Sequence, residues 1–159
     1  MKLLDLVGPK AVIADFASSD RNGVIRELVA VLADSGVIPA DSVDSVSRQI
    51  VAREKKRGTT GFGKGVAAPH EKIAGLTKVV AAIGRSARGV DFASLDGEPV
   101  FGVVLILSPQ DQPEEHLRAM DLVFRHLQQE RFRKFLKQAD RPEKIYDLLK
   151  EADEKLLVG

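Results

Sequence analysis

Two uninterrupted apolar runs restrict the fold of this chain more than any other feature of its sequence. Residues 79–83 read VVAAI, and residues 100–107 read VFGVVLIL. Strands without alternation of apolar and polar side chains are typical of sheets that are covered on both faces. Because such a sheet needs helices above and below it, the two runs predict an α/β protein with a central sheet flanked by helices on both faces.

The rest of the chain supplies patterns for those helices. Apolar residues recur at helical spacing in several segments, and Gly or Pro residues separate these segments. We interpret the whole chain, residues 1–159, as a single domain. The expected elements are a strand at 11–14, helices from a cap at Ser19 or Asp20 to Gly36 and from Pro39 to Gly58, a short strand at 66–68, a helix after Pro109, and shorter helices at 132–137 and 142–149.

The composition agrees with a domain that has its own core. Apolar residues make up 44% and charged residues 30% of the sequence, close to the values of ordinary soluble domains. A formal net charge of +1 provides no large field to attract nucleic acid or an anionic membrane. The absence of Cys excludes disulfides, thiolate catalysis and Cys-based metal sites. With no secretory signal and no apolar run long enough to span a membrane, we expect a cytoplasmic protein.

The three histidines are the side chains best suited to chemistry near neutral pH. His70 follows Pro69 at the end of a Gly-rich loop, where a fixed backbone could point the ring into a cleft. His116 falls in the first turn of the helix after Pro113, where free N–H groups favour anions, although many first-turn histidines are solvated. His126 lies nearly three turns further on, too far from His116 to share a metal ion, so we interpret it as structural or as a surface residue.

The Gly-rich loop at residues 58–64 reads GTTGFGK and matches a Walker A motif except at its last position. That position must be Ser or Thr to hold Mg²⁺, and here it is Gly65. The context also differs, because a Walker A loop follows a strand and opens a helix, whereas Pro69 prevents a helix here. Nucleotide binding is therefore the least favoured function.

The same loop could surround a phosphoryl group that is not part of a nucleotide. Its backbone N–H groups and the hydroxyls of Thr59 and Thr60 are suitable donors. The charged run at residues 53–57 is typical of a solvated helix end, but Arg53 or Arg57 could reach the loop and bind a phosphoryl group with its planar fork. The sequence leaves open which arginine does so.

Several segments taken together resemble one protein family. The chain resembles the enzyme IIA domain of the fructose/mannitol type from the phosphotransferase system, and among its members most of all the stand-alone nitrogen-regulatory proteins. The resemblance covers nearly the whole chain and implies a mixed central sheet flanked by helices. The segments that carry it are Arg53-Glu54, TGFGKGVAAPH at 60–70, Asp91-Phe92, LDGEPV at 95–100 and Glu115-His116-Leu117.

The resemblance implies that His70 accepts a phosphoryl group from the histidine-containing phosphocarrier protein, so that an active protein would be a phosphotransferase. It further implies that His116 lines the site and that Arg53 helps to hold the phosphoryl group. No cofactor or metal is implied. A transporter IIB domain or a regulatory target protein would be the downstream partner, in sugar transport or in nitrogen regulation, and we favour regulation.

Two departures from the family pattern keep a second function open. Glu71 follows His70 where the family commonly has Gly, and the segment from Arg53 to His70 is one residue longer, so that Arg57 could take the place of the arginine. Glu71 favours the alternative of a regulatory binding module that retains the fold without being phosphorylated. A carboxylate beside a doubly charged phosphoimidazole is repelled, so we expect Glu71 to lower the phosphorylated fraction.

Overall fold

The centre of the protein is a six-stranded sheet with the order β1-β5-β6-β3-β2, in which β4 also pairs with β6. The computed structural model describes residues 1–155. Strands β5 and β6 are antiparallel, whereas β1 is parallel to β5, and β3 and β4 are parallel to β6. The mixed sheet is thereby confirmed. The strands are β1 (Val12–Ile13), β2 (Gly61–Gly63), β3 (Val66–Ala67), β4 (His70–Ile73), β5 (Val80–Val90) and β6 (Val100–Pro109).

The two apolar runs form the pair of long strands at the middle of this sheet. Val80 lies opposite Leu107 in an antiparallel register that continues to Arg85 opposite Gly102. Successive residues of β6 are buried, so both faces of the strand are covered, as the sequence predicts. Strand β5 extends further than the apolar run because Arg85 is satisfied within the protein: its guanidinium donates to the carbonyls of Lys137 and Ala14.

Helices cover both faces of the sheet. α2 packs on β5 and β6, α3 packs on α2 and β4, and the other four helices enclose the opposite face around Ala81, Ile83 and Val104. Asp20 caps α2 by accepting the N–H of Gly23. No helix within residues 1–155 is long and apolar enough to cross a membrane. The helices are α1 (Leu3–Leu6), α2 (Arg21–Asp34), α3 (Val43–Arg57), α4 (Pro113–Leu127), α5 (Glu130–Gln138) and α6 (Pro142–Glu154), with a 3₁₀ turn at Ala40–Ser42 before α3.

The Gly-rich segment contains more strand than the sequence predicts. Only a short strand at 66–68 is expected there, but β2 precedes it and β4 follows it. Lys64 (φ 62°) and Gly65 (φ 78°) make the tight turn between β2 and β3. Pro69 interrupts the segment without ending it, because its carbonyl still accepts the N–H of Ile106. β3 and β4 therefore pair with consecutive stretches of β6, one on either side of Pro69.

Candidate functional site

Three elements bring the predicted site residues together at one end of β6. His70 is the first residue of β4 and lies in register with Ile106. Two residues further along β6, Ser108 is the last residue before Pro109, and α4 then begins with His116 in its first turns. The last turns of α3 carry Arg53 to the same place, and Gln49 fixes α3 to β4 by donating to the carbonyl of Lys72.

His70 is held by a hydrogen bond on each of its ring nitrogens. Nδ1 lies 2.9 Å from the carbonyl oxygen of Ala68, which can only accept, so the proton is on Nδ1. Nε2 therefore keeps its lone pair and lies 3.3 Å from Nη2 of Arg53, which donates to it. The ring is half-buried.

Burial is the main cause that lowers the pKa of His70. The bond to Ala68 raises the pKa, the charge of Arg53 lowers it, and the charge of Glu71 raises it, with burial prevailing. His70 is consequently a neutral imidazole near pH 7, with a lone pair on Nε2 directed at a guanidinium. Neutral imidazole is the nucleophilic form of this side chain.

His116 faces His70 from the start of α4. The ring centroids are 5.6 Å apart, and the planes are inclined by 47°. With 7% of its surface exposed, His116 is not a solvated first-turn residue. Its Nδ1 lies 2.6 Å from the hydroxyl oxygen of the fully buried Ser108, and burial, followed by the charges of His70, Lys72 and Arg53, lowers its pKa.

The structure brings Arg53, rather than Arg57, to His70. Arg57 is the exposed last residue of α3, one turn beyond Arg53. The Arg53 guanidinium lies between two partners: Nη2 contacts His70, and Nη1 is 3.6 Å from Oε1 of Glu71. The same carboxylate oxygen accepts the N–H of Lys72 at 2.9 Å. Glu71 is therefore turned toward the site, with its side chain 15% exposed.

The Thr59 hydroxyl and the Thr60 N–H form bonds within the protein, whereas the buried Thr60 hydroxyl has no hydrogen-bond partner in the described part of the chain. The Thr59 hydroxyl donates to the carbonyl of Phe92 and accepts the N–H of Gly61. The N–H of Thr60 donates to Oε1 of Glu54, a buried carboxyl. These bonds attach the loop to α3 and to the segment after β5. Phosphoryl binding by the two threonines stays a prediction, and the bonds of the Thr59 hydroxyl do not favour it at that residue.

The Gly-rich loop also lacks the architecture of a Walker A loop. It follows α3, and its residues Gly61–Gly63 form β2 of a hairpin rather than opening a helix. Among residues 1–155, there is no group of three or more His, Cys, Asp or Glu side chains placed to hold a metal ion. The neighbourhood of His70 instead combines a neutral nucleophile, a guanidinium and a second imidazole, which together suit transfer of an anionic group.

Ser108 is the site residue that sequence reasoning missed. It is the first hydroxyl after an unbroken apolar run and stands eight residues before His116. A polar residue at the end of a buried strand, just before a helix with a histidine in its first turns, is the signal that could have indicated it. His126, by contrast, is buried beside Phe132, at 5.7 Å between ring centroids, and is structural rather than a surface residue.

Comparisons with known proteins agree in fold and in family. The sequence model of the family described as "Phosphoenolpyruvate-dependent sugar phosphotransferase system, EIIA 2" matches residues 5–152. A nitrogen regulatory protein of Bradyrhizobium diazoefficiens is 33% identical over 94% of this chain and 95% of its own length. The fructose-specific EIIABC component of Bacillus subtilis is 30% identical over 96% of this chain, but this chain spans only 24% of that protein.

A solved structure shows the same arrangement of strands and helices. The nitrogen regulatory protein IIA-Ntr of Neisseria meningitidis superimposes with a TM-score of 0.79 at 26% sequence identity. The match covers 91% of this chain and 97% of the other. The agreement therefore extends over almost the entire sheet and its helices.

Proposed function

Because this chain belongs to the EIIA 2 family of the phosphoenolpyruvate-dependent sugar phosphotransferase system, we propose that His70 accepts a phosphoryl group from the histidine-containing phosphocarrier protein. The observation that carries the proposal is the state of the His70 ring. Its proton is directed to Ala68 through Nδ1, while its Nε2 lone pair faces Arg53. A nucleophilic nitrogen beside a cation is suited to attack on a phosphoryl group.

The transfer forms one bond and breaks one bond. The Nε2 lone pair attacks phosphorus, and the N–P bond of the donor phosphohistidine breaks, its electron pair returning to the donor nitrogen. The Nδ1 proton stays in place, since its bond to the Ala68 carbonyl stabilises the positive charge that develops on the His70 ring. No metal ion is needed to balance this step.

Arg53 and His116 are the groups suited to stabilise the phosphoryl oxygens. Arg53 already contacts Nε2, the atom that would carry the phosphoryl group. The Ser108 hydroxyl can donate to Nδ1 of His116, which leaves a proton on Nε2 of that ring for donation to an oxygen. Groups fixed in advance around developing charge contribute strongly to phosphoryl transfer.

The donor and the downstream partner are proteins in this proposal. Leu117 follows His116 and is 67% exposed, which provides apolar surface beside the site for such a partner. We favour a cytoplasmic regulatory protein, because the nitrogen regulatory relative is matched over 95% of its length. A transporter IIB domain is the alternative acceptor.

Intact-protein mass measurement tests the proposal. The protein is incubated with phosphoenolpyruvate, enzyme I and the phosphocarrier protein, and an acid-labile gain of one phosphoryl group is expected. His70→Ala should abolish the gain and leave the thermal unfolding temperature nearly unchanged, since His70 is half-buried.

His126→Leu serves as the matched control, because it removes a histidine that lies away from the site, against Phe132. It should be labelled like the unaltered protein. Full labelling of His70→Ala would contradict the assignment of the nucleophile. Failure of the unaltered protein to take up a phosphoryl group would favour the second candidate function, a binding module without phosphorylation, which the inward-facing Glu71 supports.

A further inference from the structure

Glu71 and His70 share one cation. The Arg53 guanidinium contacts Nε2 of His70 through Nη2 and lies 3.6 Å from Oε1 of Glu71 through Nη1. The side chains of Arg53 and Glu71 are only 26% and 15% exposed, so water screens their attraction less than it screens a surface pair. The contact with Lys72 N–H holds the carboxylate in this position.

We propose that Glu71 is a positioning residue that acts through Arg53: in the unphosphorylated protein, its carboxylate occupies the guanidinium that a phosphoryl group on His70 needs. This inference rests on the proposed function. A phosphoryl group on Nε2 would approach Nη2, and Arg53 would then have to serve two anions. The guanidinium fork binds one anion in its bidentate geometry, so the carboxylate and the phosphoryl group compete for it.

The competition for Arg53 favours the unphosphorylated protein. Contact with Glu71 stabilises the unphosphorylated protein, and the proximity of the carboxylate to the phosphoryl oxygens destabilises the phosphorylated one. Both effects shift the equilibrium toward free His70 and make phosphorylated His70 a readier donor. Glu71 thus sets how much of the protein is phosphorylated at a given supply of phosphoenolpyruvate.

Two conservative variants separate contact from charge. Glu71→Gln keeps the size of the side chain and removes its charge. Glu71→Asp keeps the charge, but the side chain is one methylene shorter, so it no longer reaches Arg53. If the contact is what matters, both variants raise the ratio of phosphorylated to unphosphorylated protein at a fixed donor ratio, by up to about fivefold for an ion pair of this exposure.

The matched control is Glu98→Gln, which removes an exposed carboxylate near the start of β6, at the opposite end of that strand from Ser108. It should leave the ratio unchanged. If Glu71→Asp behaves like the unaltered protein while Glu71→Gln raises the ratio, Glu71 acts by charge alone, and positioning through Arg53 is wrong. An equal or lower ratio in both Glu71 variants also overturns the inference.

Binding of inorganic phosphate to the unphosphorylated protein tests the same contact without any transfer. The dissociation constant is measured from the NMR shifts of the His70 ring. It should fall in both Glu71 variants, since each releases Arg53, and rise in Arg53→Gln. Equal dissociation constants in the two Glu71 variants and the unaltered protein would overturn the role of Glu71. Failure of enzymatic labelling with a fall in these constants would instead contradict the proposed function alone.

Discussion

The two ends of α4 each carry a buried histidine, and the two have different surroundings. His116 and His126 are 7% and 5% exposed, and burial is the leading cause of a lowered pKa in both. At the beginning of the helix, His116 is bonded to Ser108 and faces His70. At the other end, His126 packs against Phe132 among apolar side chains, and its buried Nδ1 has no hydrogen-bond partner within the described part of the chain.

Burial alone therefore does not distinguish the histidine at the proposed site from the one among apolar side chains. The partner of the ring nitrogen that points away from the site is more informative. The bond to Ser108 fixes the orientation of the His116 ring beside His70 and leaves Nε2 as the nitrogen that can bind another group. Without such a bond, His126 remains a neutral ring that fills space between α4, α5 and α6.

The largest expected difference between the two histidines is in the rate of phosphoryl transfer. His116→Ala should slow transfer to His70 by about 10²–10³, as for the loss of one donor to developing charge. His126→Leu should leave the rate unchanged. Rapid-quench measurement of single-turnover labelling from the phosphorylated phosphocarrier protein gives both rates. Equal rates in the two variants would break the distinction between the two ends of α4.

Removal of the bond that orients His116 should have a smaller effect. Ser108→Ala should slow transfer about fivefold, corresponding to the roughly 1 kcal/mol of an ordinary hydrogen bond. The NMR signals of the His116 ring nitrogens should change as the fixed tautomer is lost, while those of His126 stay as they are. If the rate falls without any change in the His116 ring, Ser108 acts through packing instead.

The smallest expected effect concerns stability against acid. A histidine whose pKa is lowered by folding binds more protons when unfolded, so its stabilising contribution is complete above the ordinary pKa of about 6.5 and is lost as the pH falls below it. Between pH 7.5 and pH 5.5, the free energy of unfolding measured with denaturant should therefore fall less in His126→Leu than in the unaltered protein. The charge of Asp153 raises the pKa of His126, and the charge of Arg125 lowers it.

Glu54 contributes a slope of the opposite sign, because burial raises its pKa, and its stabilising effect is lost as the pH rises above the ordinary value. Both His126→Leu and the unaltered protein contain Glu54. Subtracting the loss of stability of one from that of the other therefore cancels the contribution of Glu54. An equal loss of stability in His126→Leu and the unaltered protein would show that His126 is not the acid-sensitive group.

The elements of the fold were predictable where one sequence pattern dominated a segment. The apolar runs at 79–83 and 100–107 could only form buried strands, and Asp20, Gly36 and Gly58 mark helix ends through their own backbone chemistry. β4 was not predictable, because only half-buried residues form it and its partner is β6, more than thirty residues away in sequence. Pairing between distant segments leaves no local trace in so short a strand.

In the candidate site, too, local sequence indicated some residues, whereas others depended on contacts between distant segments. His70 and His116 could be singled out from residue type and position, and their proximity is a property of the register between β4 and β6. The choice between Arg53 and Arg57 depended on which face of α3 turns toward β4, and a helix end rich in basic residues does not reveal that. Glu71 turns inward toward Arg53, and the spacing of residues in the sequence does not indicate this contact.

Pro69 fixes the point along β6 at which β4 begins to pair. Its carbonyl accepts the N–H of Ile106, the first residue of β6 that pairs with β4, and β3 pairs further back along β6 with Gly102 and Val103. His70 is therefore level with Ile106 and within reach of Arg53. Strand pairing with β6, and not the Gly-rich loop before it, determines where His70 lies along the sheet.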